Sequence, residues 1–250
     1  MLAEAACPVN KIGRRSGSMR FSPSYLLVAV LVGVICTLYC VCYFTNISTC
    51  SAAYAEELPS AQELLAINKQ DKVLGCDKAR STIIEYSSLA CPHCADFHKK
   101  NFPLIKKNLV DTCKAKYVYR ELPTSKIALN AAMLASCGAE ISGKAATYYT
   151  LIHHLFNSRE SWTSPIAEKL EGILLNIAKL NGITKSQFEA CMENQDLAAF
   201  IHNRAFQTTQ VLAIQYTPTI LVNGKKIDKA TFDNIANHIS PNTADKKTKK

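Results

Sequence analysis

The sequence lacks the stripes of alternating basic and aromatic residues that bind nucleic acid, although its formal net charge is +9. It also lacks any recognised nucleic-acid-binding motif. Four of the basic residues lie in a polar tail at residues 241–250, which leaves the rest of the chain only mildly basic, and we expect no nucleic-acid partner. The chain is not poor in apolar residues: with 48% hydrophobic residues over 250 positions it can bury a full core, which excludes a disordered protein.

Charged residues are absent from one long segment near the N-terminus. Twenty consecutive residues from Tyr25 to Phe44 carry no charge, which is enough for a helix to cross a bilayer. Basic residues precede this segment, at Lys11, Arg14, Arg15 and Arg20. The positive-inside rule therefore places the N-terminus in the cytoplasm and everything after residue 45 on the far side of the membrane.

The same segment also fits a cleaved leader, so two forms of the mature protein stay open. Ala53-Tyr54-Ala55 resembles an A-x-A cleavage site, and a start at Met19 gives a short basic leader of the usual kind. An uncleaved helix would anchor the protein in the membrane, whereas cleavage near Ala55 would release it. In both cases we expect a periplasmic protein in an oxidising compartment.

The chain has eleven cysteines, which is unusual for a cytosolic protein of this size but suits an exported one. Beyond the export segment, and aside from Cys50, six remain: Cys76, Cys91, Cys94, Cys113, Cys137 and Cys191. An even number permits complete pairing. Cys76 and Cys113 each precede a predicted parallel strand, so both fall at the same edge of the sheet and could form a disulfide there.

The motif Cys91-Pro92-His93-Cys94 stands where a strand ends and a helix begins. Ser81 to Tyr86 is a β-branched run that predicts a buried strand. The residues after the motif have helical spacing of apolar positions at Phe97, Leu104, Ile105 and Leu109. Cys91 then becomes the N-cap, with Pro92 in the first helical position. Unpaired N–H groups and the helix dipole should lower the pKa of Cys91 and make the pair redox-active.

The motif lacks the residues that would make it a metal or haem site. Cys91, Cys94 and His98 resemble half of a zinc site, but no second pair of ligands with zinc-like spacing follows. Ala95 stands where c-type haem attachment requires a histidine. A permanent disulfide across a helix start would be easily reduced, which suits exchange better than stability. We therefore expect thiol-disulfide chemistry with no metal and no dissociable cofactor.

These residues resemble the DsbA-like thiol-disulfide oxidoreductases of the thioredoxin superfamily. The matching elements are the strand, the Cys-Pro-His-Cys helix start, Glu85 six residues before Cys91, and a late segment from Tyr216 to Gly224 that contains Thr217 and Pro218. The resemblance covers residues 67–240. It implies an α/β thioredoxin-like core interrupted by a helical domain, in an enzyme that introduces disulfides into exported proteins of the bacterial envelope.

The resemblance implies roles for five residues around the motif. Cys91 would be the nucleophile and Cys94 the leaving group, while Pro92 and His93 tune the couple by stabilising the Cys91 thiolate. Glu85 lies in a strand between apolar neighbours. If it is buried near Cys94, its raised pKa would let it relay a proton; if it faces outward, it is an ordinary strand residue in water.

Thr217 and Pro218 would form the substrate-binding loop. In the superfamily the matching proline is cis and lies against the active-site disulfide, which leaves the Thr217 backbone free to pair with a substrate strand. The alternative is a proline on an edge strand. Thr217 departs from the valine of the best-known DsbA oxidases and is common in isomerase-like branches. An isomerase or reductase therefore remains open, as does a non-catalytic metal- or peptide-binding module on the same scaffold.

The resemblance also implies partners and a further disulfide. Relatives of this subgroup carry cysteines at the places of Cys137 and Cys191, so a disulfide between these two residues would cross-link the helical insertion. The alternative is that both are buried free thiols. Substrates would be reduced exported polypeptides. Electrons would leave through a DsbB-like, quinone-linked membrane protein.

The pattern of elements divides the chain into consecutive segments. Residues 125–214 contain only helical periodicity, including an apolar stripe at Ile166, Leu170, Ile173, Leu174, Ile177 and Leu180 and a capping box at Thr184 and Gln187. The expected segments are a basic N-terminal segment (1–23), an anchor or signal (24–45), a linker (46–66), a core in two parts (67–124 and 215–240), a helical insertion (125–214) and the basic tail (241–250).

Overall fold

The computed structural model of the chain describes residues 34–37, 58–163 and 167–239. The chain divides into two units, Met1–Glu57 and Leu58–Lys250. The described part of the first unit is one helical turn at residues 34–37. The predicted anchor lies outside the described residues except for this turn, and so do the cleavage site near Ala55 and the tail. Among the described residues, no helix has both the length and the apolar content to cross a membrane.

The second unit is built on a five-stranded sheet with the order β1-β3-β2-β4-β5. The strands are β1 (Val73–Leu74), β2 (Ser81–Ser87), β3 (Ala115–Glu121), β4 (Thr219–Val222) and β5 (Lys225–Lys226). The two central strands, β2 and β3, run parallel, and the other pairs are antiparallel. β2 is buried along almost its whole length because both faces of the sheet are covered.

Ten helices surround the sheet in the described part of this unit. They are α1 (Ala61–Leu65), α2 (Pro92–Lys100), α3 (Phe102–Ile105), α4 (Lys126–Ser142), α5 (Ala145–Asn157), α6 (Arg159–Trp162), α7 (Ala167–Leu180), α8 (Lys185–Glu193), α9 (Gln195–Val211) and α10 (Phe232–Asn237). Strands β2 and β3 are joined through α2 as a β-α-β unit, and α4 to α9 form the predicted helical insertion between β3 and β4. The chain thus has an α/β thioredoxin-like fold with a helical insertion.

The helix after the motif is not continuous, contrary to the sequence-based expectation. It ends at Lys100, resumes as α3, and closes with a π-helical turn at Lys106–Val110. Pro103 accounts for the interruption, because its ring removes one backbone donor and clashes with the preceding turn. Three of the four apolar positions are buried, but Leu104 is 44% exposed.

The predicted apolar stripe of α7 is correct in its middle and wrong at its end. Leu174 and Ile177 are buried, whereas Leu180 is 80% exposed because α7 ends there. Gly182 follows with φ +77°, the left-handed conformation that commonly stops a helix. The first residue of the stripe, Ile166, lies outside the described residues. The capping box at Thr184 and Gln187 is confirmed, with both reciprocal hydrogen bonds present.

Two disulfides hold the fold outside the motif. Cys76 and Cys113 are joined at the end of the sheet where β2 and β3 begin, with their Cα atoms 5.2 Å apart. Cys137 of α4 and Cys191 of α8 are joined within the insertion, with a Cα separation of 5.9 Å. In the chain-entropy model, the loop that the Cys137–Cys191 disulfide closes is long enough to stabilise the fold by about 4 kcal/mol.

A buried ion network fastens the segment before β1 to the sheet. Arg120 of β3 is 2% exposed and donates from Nη2 to Asp71 Oδ2 at 2.7 Å and to the carbonyl of Ala66 at 2.8 Å. Arg204 of α9 binds the other carboxylate oxygen. Burial alone would raise the pKa of Asp71, but the two guanidinium groups outweigh it and hold that pKa below its usual value.

Candidate active site

Cys91 lies at the N-cap of α2, directly after the turn that follows β2. Its backbone is extended (φ −77°, ψ 126°) and Pro92 takes the next position, as the sequence predicts. The N–H of Ala95 donates to the Cys91 carbonyl at 3.1 Å and closes the first turn. The N–H groups of His93 and Cys94 have no helical partner there; the Cys91 side chain makes no capping hydrogen bond, but both N–H groups help to lower the pKa of Cys91.

The two thiols of the motif have opposite environments. Cys91 is half-buried, whereas Cys94 is fully buried one turn into the helix. The hydrogen bond from the Cys94 thiol is the main cause that lowers the pKa of Cys91 to about 5, and the backbone N–H groups add to it. Burial, and then donation to Cys91, raise the pKa of Cys94 well above its ordinary range. Cys91 is therefore a thiolate at neutral pH, and Cys94 keeps its proton.

Thr217 and Pro218 lie against Cys91, although they are more than a hundred residues away in sequence. β4 runs antiparallel to β2 with Thr219 opposite Tyr86, so the residues before β4 reach the end of the sheet where α2 starts. As a thiol, Cys91 Sγ donates to the carbonyl of Thr217 over 3.6 Å. The peptide bond between Thr217 and Pro218 is cis.

His93 and Pro92 are both exposed to solvent at the start of α2. The backbone N–H of His93, rather than its imidazole, contributes to the lowered pKa of Cys91. On the other side of the motif, Arg159 of α6 donates to the carbonyl of Ala90 at 3.1 Å. The helical insertion thus contacts the backbone next to Cys91, which the sequence did not indicate.

Glu85 is completely buried in the central strand β2. Burial raises its pKa from 4.5 to about 7, against the opposing effects of the hydrogen bond from Tyr117 and of the nearby Ser87 hydroxyl. The Tyr117 hydroxyl donates to Glu85 Oε2 in a short contact. Glu85 and Cys94 share two polar neighbours, the Ser87 hydroxyl and the Tyr119 phenol. The carboxyl group can therefore exchange a proton near neutral pH inside the core.

Replacing Glu85 by glutamine should change how stability depends on pH. Because the folded pKa of about 7 lies above the unfolded value of 4.5, the contribution of Glu85 to stability is most favourable below pH 4.5 and is lost as pH rises through 7. This loss amounts to about 3 kcal/mol. We expect the free energies of unfolding of Glu85→Gln and wild type to be similar in acid, with the variant the more stable under mildly alkaline conditions.

Denaturant unfolding at the two pH values measures this difference. Glu171→Gln, at an exposed position of α7, is the matched control and should leave the pH dependence of the wild type in place. If the free energy of unfolding of Glu85→Gln depends on pH as strongly as that of the wild type, Glu85 does not titrate in the core as described.

The sequence did not single out Tyr117, Tyr119 and Ser87 as neighbours of the site. Tyr117 and Tyr119 are predicted only as members of the second parallel strand, and Ser87 directly follows the predicted first strand, Ser81 to Tyr86. The signal was partly present, since strand alternation places Glu85 and Ser87 on one face of β2. Their partners on β3 depend on the register between the strands, which pairs Glu85 with Tyr119 and Ser87 with Glu121.

Within residues 34–37, 58–163 and 167–239, no group of three or more histidine, cysteine, aspartate or glutamate side chains is arranged to hold a metal ion. His98, the third member of the half-site considered from the sequence, is buried and stacks on Phe102 with ring centroids 4.7 Å apart. Burial lowers the pKa of His98 to about 3.

Comparisons with known proteins agree with this geometry. The family model described as Thioredoxin matches residues 67–240. The chain is 30% identical over 175 residues to disulfide bond formation protein D of Bacillus subtilis, which covers 67% of this chain and 74% of that protein. It is 29% identical over 194 residues to a candidate protein-disulfide oxidoreductase of Rickettsia prowazekii, covering 78% of this chain and 69% of that one.

A solved structure supports the same assignment. The crystal structure of α-DsbA1 from Wolbachia pipientis superposes with a TM-score of 0.64 at 30% sequence identity. The match covers 71% of this chain and 93% of that chain. The family model, the relatives and the fold all converge, and the chain belongs to the DsbA-like disulfide oxidoreductases of the thioredoxin family.

Proposed function

We propose that Cys91 and Cys94 form the redox pair of this oxidoreductase and that the enzyme donates disulfides to exported polypeptides. The observation that carries the proposal is the inequality of the two thiols. Cys91 is accessible and has a pKa of about 5, whereas Cys94 is fully buried with a raised pKa. An accessible, acidic thiol next to a shielded one is the arrangement that disulfide exchange requires.

The transfer takes place in two exchange steps. A substrate thiolate attacks the Cys91 sulfur of the oxidised pair; the bond between Cys91 and Cys94 breaks, and Cys94 leaves with the electron pair and takes up a proton. A second substrate thiol loses its proton and attacks the substrate sulfur of the mixed disulfide. Cys91 then leaves as a thiolate, the substrate gains a disulfide, and the enzyme is reduced to the dithiol by two electrons.

The stabilised Cys91 thiolate favours transfer of the disulfide from the enzyme to the substrate. Anything that stabilises the reduced enzyme makes its disulfide a stronger oxidant, and here the Cys94 thiol and two backbone N–H groups do so. Thr217 supports the second candidate, an isomerase or reductase, since it departs from the valine of the best-known oxidases. Its contact with Cys91 Sγ places it where it can tune the couple.

The loop at Thr217 and Pro218 is the proposed docking site for the substrate backbone. Thr217 is half-exposed beside Cys91, and its neighbour Pro218 has no N–H to donate. An extended substrate segment can pair with the Thr217 backbone and so bring its own cysteine to the Cys91 sulfur. Glu85 is the proposed proton donor and acceptor for Cys94, because it is the buried group with a pKa near neutrality.

The remaining assignments follow from the sequence. We propose that the enzyme works in the bacterial envelope, either anchored by residues 24–45 or released by cleavage near Ala55. We propose that residues 67–124 and 215–240 are the two parts of the core and that residues 125–214 are the insertion. A DsbB-like membrane protein linked to quinones is the proposed electron acceptor that restores the Cys91–Cys94 disulfide.

Trapping a mixed disulfide tests the proposed roles of the two cysteines. In Cys94→Ala, the Cys91 thiolate should attack a single-cysteine peptide supplied as its mixed disulfide with glutathione, releasing glutathione as a thiolate. No thiol at position 94 can then displace the peptide, so we expect a covalent adduct at Cys91, visible by mass spectrometry under non-reducing conditions. Cys91→Ala, the matched variant, should give no adduct at residue 94 because that position is buried. Adducts of equal yield in both variants would reject the assignment of Cys91 as the nucleophile.

A further inference from the structure

Three buried polar atoms without hydrogen-bond partners belong to adjacent positions of β2 and β3. In the described part of the chain, four buried side-chain atoms have no partner: Glu85 Oε1, Ser87 Oγ, Tyr119 Oη and His98 Nδ1. The first three belong to neighbouring positions of β2 and β3, where Glu85 pairs with Tyr119. Unpartnered buried polar groups are rare in native proteins, and their concentration at one place calls for a functional explanation.

Ser87 occupies the centre of this group. It is fully buried at the end of β2, and its hydroxyl acts on the pKa values of all three neighbours, namely the Glu85 carboxyl, the Cys94 thiol and the Tyr119 phenol. None of the three meets Ser87 Oγ at full hydrogen-bond geometry. The hydroxyl can therefore rotate towards one neighbour or another without breaking a fixed hydrogen bond.

Cys94 needs a proton route that does not depend on bulk water. It has no exposed surface, so the thiolate that forms when the disulfide opens must be protonated from inside the protein. Glu85, with its pKa near 7, is the buried group that can supply this proton. A serine hydroxyl can donate one hydrogen bond and accept another at the same time, which suits it to connect a thiolate with a carboxylic acid.

We propose that Ser87 is the proton-relay residue between the Cys94 thiol and the Glu85 carboxyl. The inference rests on the proposed function of the Cys91–Cys94 pair. When the disulfide opens, the electron pair goes to the Cys94 sulfur, Ser87 passes its hydroxyl proton to that sulfur, and Ser87 takes the proton of Glu85. Glu85 becomes a carboxylate that the Tyr117 hydroxyl stabilises. In reoxidation the proton moves in the opposite direction, and Cys94 is freed to attack the mixed disulfide at Cys91.

The titratable groups that face Ser87 and Glu85 are Cys94 of α2, Tyr117, Tyr119 and Glu121 of β3, and Tyr149 of α5. Burial raises the pKa values of the three tyrosines well above their ordinary range, so they stay neutral and do not compete as bases. Glu121 lies opposite Ser87 in the register of β2 and β3, and its carboxylate accepts from Tyr148 and Ser136. These contacts leave Glu85 as the acceptor for the Cys94 proton.

The test uses the full-length protein and follows reaction of its dithiol form with oxidised glutathione. In the second step of that reaction, Cys94 loses its proton and displaces glutathione from Cys91. The rate of this step is measured across the neutral pH range by acid quenching and mass spectrometry. We expect a wild-type inflection near the pKa of Glu85, about 7, and we expect Ser87→Ala to lose the inflection and to slow this step about 100-fold. Ser87→Thr, which keeps the hydroxyl, should restore the inflection.

Two controls separate a relay from a loss of packing. Tyr119→Phe removes a hydroxyl from the same cluster and should keep both the rate and the inflection. The alkylation rate of Cys91 should be unchanged in Ser87→Ala, because the proton of Cys94 does not limit that reaction. The proposal is overturned if Ser87→Ala keeps the inflection and most of the rate, or if Tyr119→Phe slows the step equally. If the wild type forms no mixed disulfide at Cys91, the proposed function itself fails.

Discussion

Cys91→Ser should reduce disulfide transfer to a reduced two-cysteine peptide by at least about 10³-fold, which corresponds to roughly 4 kcal/mol of transition-state stabilisation. The serine hydroxyl cannot form the bond to sulfur that the mixed disulfide requires. Cys94 cannot take over, because it is fully buried and its pKa is raised by burial. Peptide oxidation with glutathione disulfide as the terminal oxidant, followed by chromatography, measures the loss.

Cys36→Ser is the matched control for this experiment. Cys36 is likewise a free cysteine, and its side chain is exposed, but it lies outside the motif. Its replacement should leave the transfer rate unchanged, and a melting curve of Cys91→Ser should stay close to that of the wild type because Cys91 is only half-buried. Activity retained by Cys91→Ser would show that another thiol carries the reaction.

The pH dependence of alkylation should separate the two thiols of the reduced protein by a large factor. With a pKa of about 5, Cys91 is mostly thiolate under mildly acidic conditions. An ordinary thiol with a pKa of about 8.5 has roughly 300-fold less thiolate at about pH 6. Iodoacetamide labelling should therefore show a midpoint near the Cys91 pKa, and Cys94 should remain unlabelled in the folded protein.

The position of the midpoint is the diagnostic quantity, because the intrinsic reactivity of a thiolate falls as its pKa falls. Cys94→Ala offers an internal check. It removes the hydrogen bond that contributes most to the low pKa of Cys91, so its midpoint should move upward. A wild-type midpoint near 8.5, or equal labelling of both cysteines, would contradict the environment described for α2.

The lowered pKa of Cys91 has a consequence for the stability of the reduced protein. The folded value of about 5 lies below the ordinary thiol value of 9.0. The thiolate therefore adds stability to the reduced form at high pH, and this contribution is lost as pH falls through the folded pKa. The oxidised form has no thiolate at this position. The stability of the reduced form should therefore fall in acid relative to that of the oxidised form.

The helix start was predictable from the sequence because its determinants are local. An N-cap position, a proline in the first turn and a β-branched strand act within a few residues, and the structure places Cys91 and Pro92 as the pattern predicts. Thr217 and Pro218 were found through the family resemblance. Their approach to Cys91 depends on the antiparallel register of β4 against β2, which no local pattern determines.

The polar contacts inside the core could not be derived in the same way. The hydrogen bond from Tyr117 to Glu85 requires two strands to meet in one register. The pairing of Asp71 with Arg120 and Arg204 joins three elements that are distant in sequence. For Leu104 and Leu180 a local pattern predicted burial that the structure does not show. Their helical spacing indicated buried positions, but a helix break near Leu104 and a helix end at Leu180 leave both exposed.

The reduction potential of the Cys91–Cys94 pair tests the proposed direction of transfer. Equilibration of the full chain with glutathione buffers, read by mass spectrometry after acid quenching and alkylation, gives this potential. A thiolate stabilised by the Cys94 thiol and the helix start predicts an oxidising couple, with a potential above about −200 mV and therefore in the range of disulfide donors. A potential near about −270 mV, the value of thioredoxin, would contradict the role as a disulfide donor and indicate a reductase.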